Sequence, residues 1–105
     1  MGRYTTCIAG IIFRDRRRLV QSLKPGTILQ TSREPDNPKD ANAIRLLAPD
    51  GAQAGYIPAK QAAWLSERLD KNRSTTVVVT HVTTKGMLWW KRVYAGIEIR
   101  TGADA

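Results

Sequence analysis

A chain of 105 residues, 42% apolar and 25% charged, suits one compact domain with a packed core, leaves no room for a second, and does not read as a disordered tail. Seventeen Lys and Arg against nine Asp and Glu give a net charge of +8, and a pI near 10.3, so an anionic partner is expected. Apolar runs such as Val77-Val78-Val79 are too short for a transmembrane helix or signal-peptide core, and Cys7 and His81 are each alone of their kind; membrane and metalloenzyme classes are set aside, and a soluble cytoplasmic monomer is expected.

The stretch Thr5 to Phe13 is rich in β-branched residues and predicts a first strand with Cys7, Ala9, Ile11 and Phe13 on one face. Asp15 is placed to cap a short basic helix over Arg16 to Leu23, with Leu19, Val20 and Leu23 on its apolar side, before Pro25-Gly26 stops it. Strands are predicted over Thr27 to Thr31, Ala43 to Leu47 and Gln53 to Ile57, the last two joined by a Pro49-Asp50-Gly51 turn. Pro58 opens a second helix whose apolar stripe is Ala62, Leu65 and Leu69. Alternation then predicts a strand over Thr75 to Thr84, with Val77, Val79 and His81 sharing a face, and a partner strand over Arg92 to Arg100 with Val93, Ala95, Ile97 and Ile99 inward. Six short strands and two helices suggest a mainly β fold, a small, partly closed OB-like or SH3-like barrel.

The charge is clustered. Residues 14 to 24 hold Arg14, Arg16, Arg17, Arg18 and Lys24 against Asp15 alone, a surplus of +4, and residues 85 to 92 hold Lys85, Lys91 and Arg92 with no acid, a surplus of +3. The second segment also carries Met87, Leu88, Trp89 and Trp90 in what reads as an exposed hairpin loop. Cations that neutralise phosphate beside flat rings that stack on unpaired bases suit single-stranded nucleic acid. The plainer reading has Trp89 and Trp90 capping a barrel end and the arginines forming a solvated helix face.

Residues 33 to 44, Arg33-Glu34-Pro35-Asp36-Asn37-Pro38-Lys39-Asp40-Ala41-Asn42-Ala43-Ile44, combine two φ-fixing prolines with side chains that bond locally to backbone amides. A rigid loop is predicted, the sort on which binding groups are mounted. This segment resembles the signature of the HIRAN domain family: an arginine-acid-proline start and an Asn-Pro-aromatic-Asp-x-Asn-Ala-Ile core. Gly55-Tyr56-Ile57-Pro58 and the helix bearing Ala62, Leu65 and Leu69 follow in the family's order, and Ile8-Ala9-Gly10 looks like its first strand. The resemblance spans about residues 7 to 70.

It implies an OB-like barrel that binds single-stranded DNA at a free 3′ end, as a module of DNA repair or stalled-fork recognition that can work beside an ATPase or nuclease. The family's Asp falls on Asp40, where it would receive the terminal 3′-hydroxyl and repel a following phosphate. Lys39 stands where the family has an aromatic residue, exchanging a stacking surface for a phosphate contact. Phe13 keeps the first-strand aromatic, and Arg14 would supply the cation that Ile12 lacks. Tyr56 matches the ring after the glycine, able to stack on a base or bond a phosphate. The expected DNA-binding set is therefore Phe13, Arg14, Arg16, Arg17, Arg18, Lys39, Asp40, Tyr56, Trp89, Trp90, Lys91 and Arg92.

No catalytic, metal or cofactor site is expected. His81 sits on an alternating strand and reads as a core or rim residue, Cys7 as a small buried one, and Glu34 with Asp40 is thin support for a Mg²⁺ pair. Two other classes remain: a protein-interaction module anchored by Trp89-Trp90, and a sequence-tolerant RNA binder.

Overall fold

The computed structural model describes residues 2–11, 14–87 and 90–102, with the side chains of Arg14, Asp15, Met87, Trp90 and Lys91 outside that description. The elements run β1 (Gly2–Cys7), α1 (Arg14–Ser22), β2 (Ile28–Arg33), β3 (Ile44–Leu47), β4 (Gln53–Tyr56), α2 (Ala59–Asp70), β5 (Thr75–Met87) and β6 (Trp90–Thr101). The strands pair antiparallel in one sheet of order β1-β6-β5-β2-β3-β4. The sheet curls until the chain just past β1 meets β4, where Ala9 and Tyr56 exchange two N–H···O bonds of 2.8 Å. That bridge joins the two edge strands, and the result is the expected OB-like six-stranded barrel with two helices.

Alternation builds the core. Val77 and Val79 of β5 and Val93, Ala95, Ile97 and Ile99 of β6 turn inward onto Leu29, Ile44 and Leu46. Each fully buried side chain of this size contributes about 1.5–3 kcal/mol. Ala62 and Leu65 of α2 close one side of this cluster, with Leu69 packed against it. At nine residues α1 is too short to stand alone; Val20, fully buried, and the partly buried Leu19 and Leu23 hold it to the barrel. The Pro49-Asp50-Gly51 turn forms as expected, with the Ala52 N–H donating to Asp50 Oδ1 at 2.9 Å.

Several expectations are corrected. The first strand is Gly2–Cys7, earlier than predicted; beyond it the Ile8 N–H donates to the Ala95 carbonyl at 3.0 Å and Ala9 bridges to Tyr56. Gly10, at φ +76°, turns the chain out of extended conformation. Cys7 is exposed rather than buried, because its side of β1 faces outward. The helix starts at Arg14, so Asp15 lies inside it and is not its cap. His81 is exposed: the β5–β6 register shifts between Val79 and His81, and this bulge inserts Thr80 and reverses the alternation, so Val82, not His81, packs on the core. Finally, β5 and β6 continue to Met87 and Trp90, which pair. Lys85, Lys91 and Arg92 therefore lie in strands, not in a loop.

Candidate nucleic-acid interface

The loop between β2 and β3 is tied at its ends and from within. The Glu34 N–H donates to the Ala43 carbonyl at 2.9 Å, and Arg33 Nη1 donates to the same oxygen at 2.9 Å. Arg33 Nε also donates to Asp70 Oδ1 at 3.0 Å, fixing the loop's root to the end of α2. Inside the loop Asn37 Oδ1 accepts from the Lys39 N–H at 2.9 Å and the Asp40 N–H at 3.3 Å. Asp40 Oδ1 accepts from the Asn42 N–H at 2.8 Å. These Asx turns, with Pro35 and Pro38, make the loop the rigid mount expected from its sequence.

The opposite wall is the chain that crosses β4. A Cβ on Gly55 would overlap the Ala9 carbonyl oxygen and Ile8 Cγ2, so only glycine lets the segment approach closely enough to form the Ala9–Tyr56 bridge. At Gly10 a Cβ would press to 3.3 Å on both Arg16 Nη1 and the Tyr56 ring. Arg16 Nη1 donates to the Gly10 carbonyl at 3.1 Å, and its guanidinium carbon lies 5.4 Å from the Tyr56 ring centroid, over the ring. One bend thus brings together a helix cation and a strand aromatic.

Of the two roles expected of Tyr56, stacking on a base and bonding a phosphate, its surroundings favour the first. Its Oη donates to Glu34 Oε1 at 2.8 Å, which also accepts from Asn37 Nδ2 at 3.1 Å; Glu34 Oε2 lies 3.5 Å from Arg45 Nε. The Tyr56 hydroxyl, followed by the Asn37 amide and the positive Arg45 and Arg16, holds the Glu34 carboxyl below its ordinary value of 4.5. With its hydroxyl engaged, Tyr56 has its ring to offer, not its phenol. The hold of Glu34 on Tyr56 is what sequence reasoning missed: its partner lies 22 positions away, and the pairing of β3 with both β2 and β4 brings them together. Its Oε1 thus accepts two hydrogen bonds while its Oε2 faces the Arg45 guanidinium. Among the described residues no cluster of three or more His, Cys, Asp or Glu is placed to hold a metal ion.

Arg16, Lys39, Asp40 and Tyr56 line one groove of about 550 Å³, with Gly10 and Pro38 also in its lining. Arg17 and Arg18 sit on α1 outside its lining, and Arg92 is exposed on β6. The backbone places Arg14 at the first position of α1, and Trp90 and Lys91 at the start of β6 opposite Met87 and Gly86. Phe13 and Trp89 lie outside the described residues.

No curated protein matches the chain. Two solved structures are similar to it: the HIRAN domain of human HLTF, 20% identical with a TM-score of 0.70 over 93% of this chain and 73% of that one, and a protein from Lactobacillus plantarum, 20% identical with a TM-score of 0.63 over 93% and 98%. At such identity these likenesses speak for the fold. The HIRAN domain family itself is matched over residues 1–100, nearly the whole chain. The chain belongs to the HIRAN domain family.

Proposed function

We propose that this domain binds single-stranded DNA at a free 3′ end and catalyses nothing, serving as a recognition module at damaged DNA or stalled forks, where an ATPase or nuclease partner acts. The observation that carries this reading is the meeting of Arg16, Lys39, Asp40 and Tyr56 in one groove. Arg16 and Lys39 attract phosphate, and the Tyr56 ring, held by Glu34, stacks on a terminal base. Asp40 has one oxygen occupied by the Asn42 N–H, and among the described residues no donor is seen on the other. That oxygen accepts the proton of a terminal 3′-hydroxyl and repels a phosphate in its place. Lys39, where the family has a ring, trades stacking for charge, which makes binding more salt-dependent.

The test is fluorescence anisotropy with a labelled ten-nucleotide strand ending in a 3′-hydroxyl, its 3′-phosphate twin and an equal-length RNA, at two salt concentrations. The expected result is salt-sensitive binding that favours the DNA 3′-hydroxyl. Equal binding of both DNA ends reduces the groove to a general single-strand site, and preference for RNA assigns it to the RNA-binding class. Salt-insensitive behaviour, or no binding, favours a protein partner.

A further inference from the structure

The groove leaves one charged surface unexplained. Side chains alternate along β6, and because Val93, Ala95, Ile97 and Ile99 are buried, Arg92, Tyr94, Glu98 and Arg100 turn to the other face. The register sets Lys85 of β5 opposite Arg92, Thr83 opposite Tyr94, and Arg3 of β1 opposite Arg100. The inner face of this hairpin is covered by α1, where Gln21 Nε2 reaches Thr84 Oγ1 at 3.5 Å. Lys85 and Arg92 therefore point away from α1, on the opposite side of the sheet from the Arg16 groove.

Three features mark this outer face. The sequence holds no acidic residue between Asp70 and Glu98, and Glu98, the only carboxylate carried by β1, β5 or β6, is bonded to Arg100 and lies 4.0 Å from Arg3. Lys85 and Arg92 are both exposed and directly opposite one another; like charges so placed repel, and an anion lying across them removes the repulsion. Tyr94, 43% exposed, stands on the same face beside Arg92. From Arg92 to Arg100 this face runs about 26 Å along the strand, a length over which one strand of a duplex presents seven or eight phosphates at about 3.4 Å spacing. Cations spread along the outer face of these strands with a single ring fit a duplex backbone better than unpaired bases, which need a series of rings.

We infer that the outer face of β1, β6 and β5 is a second DNA contact that holds the sugar-phosphate backbone of a duplex. Its placement at a junction, with the groove taking the single-stranded end, rests on the function proposed above; its binding of a duplex does not.

The test uses a dumbbell duplex with no free ends and a ten-nucleotide strand with a 3′-hydroxyl, each titrated with the unsubstituted domain, with Lys85→Glu/Arg92→Glu and with Arg16→Ala. The expected result is salt-dependent dumbbell binding that falls by about tenfold or more in the charge-reversed variant, as two phosphate contacts are lost, while its single-strand affinity stays within about twofold. Arg16→Ala should do the reverse. Lys85→Ala/Arg92→Ala, which replaces the same exposed groups more gently, keeps the test open if charge reversal disturbs folding. No dumbbell binding, dumbbell binding indifferent to both double variants, or equal loss on dumbbell and single strand would overturn the inference. If the dumbbell behaves as expected and the single strand does not bind at all, the duplex face stands and the groove reading falls.

Discussion

Replacing Asp40 by Asn removes one charge and little else. Asp40 Oδ1 accepts the Asn42 N–H at 2.8 Å, and an amide oxygen in the same position still accepts it, so the turn that shapes the loop survives. Alanine removes that acceptor and confuses end recognition with loop geometry. A terminal 3′-phosphate carries about −1.5 to −2 charges near neutral pH. About 4 Å from a carboxylate in an open, water-facing groove, each unit charge costs about 1 kcal/mol. The repulsion is then about 1.5–2 kcal/mol, more than tenfold in affinity, and the charge-assisted bond from a 3′-hydroxyl adds about 1.5 kcal/mol or more on the other side of the comparison. The unsubstituted domain should therefore prefer the 3′-hydroxyl strand by at least tenfold at moderate salt, and Asp40→Asn should bring the two ends to within a few fold, mainly by raising affinity for the phosphate twin. Anisotropy titrations of both strands measure this directly. The reasoning fails if Asp40→Asn keeps the full preference, or if it weakens both ends equally.

Three further outcomes follow from the same geometry. Arg16→Ala should weaken both single-strand ends alike and reduce the log-log salt slope by about one, since a phosphate contact carries no information about the end; an unchanged slope would remove Arg16 from the phosphate track. Glu34→Gln should flatten the acid limb of stability. Folding holds the Glu34 carboxyl below its ordinary 4.5, chiefly through the Tyr56 hydroxyl, so its stabilising contribution is complete above that value and is lost as pH falls through the lowered one. Urea unfolding at neutral pH and at about pH 3 should show the advantage of the unsubstituted domain over Glu34→Gln shrinking on acidification, and a constant difference would contradict the assignment. Gly55→Ala should cost about 3 kcal/mol, because the added methyl meets a backbone carbonyl that cannot move without breaking the barrel's closure; unfolding midpoints close to those of the unsubstituted domain would refute that closure geometry.

The parts of the fold legible in the sequence are those where one period repeats long enough to set a phase. Val93, Ala95, Ile97 and Ile99 show their buried side at once, and so do Ala62 and Leu65 on α2. Val77-Val78-Val79 shows no phase, because apolar residues fill both faces there; the bulge that follows, and with it the outward turn of His81, therefore escapes an alternation argument. At the N-terminal end the β-branched run continues past the point where Gly10, at a positive φ, ends it. The strand is displaced and Cys7 lands on the outer face for that reason. The hairpin cations gave a similar lesson. A cluster of charge in sequence reads as one loop patch, yet the register sets Lys85 and Arg92 opposite one another in two paired strands, on the face away from α1.

The site divides along a related line. The loop's rigidity was legible because its bonds are local: Asn37 to Lys39 and Asp40, and Asp40 to Asn42, are separated by two or three positions. Which arginine of Arg16, Arg17 and Arg18 enters the groove was not, since each step along a helix turns the side chain by about 100° and the docking of α1 decides the outcome. Nor was Glu34's hold on Tyr56. That contact exists because β3 pairs with both neighbours, setting Ile44 opposite Arg33 and Arg45 opposite Tyr56, which brings β4 beside the loop. The residue that offers its ring to a ligand is thus the same residue whose backbone seals the sheet, with N–H···O bonds of 2.8 Å in both directions. A substitution that opens the seal, Gly55→Ala among them, should therefore remove DNA binding before it unfolds the barrel, whereas a change confined to the ring, Tyr56→Leu, should weaken binding and leave the seal intact. The domain's stability and its recognition surface meet at one bridge, and those two variants separate them.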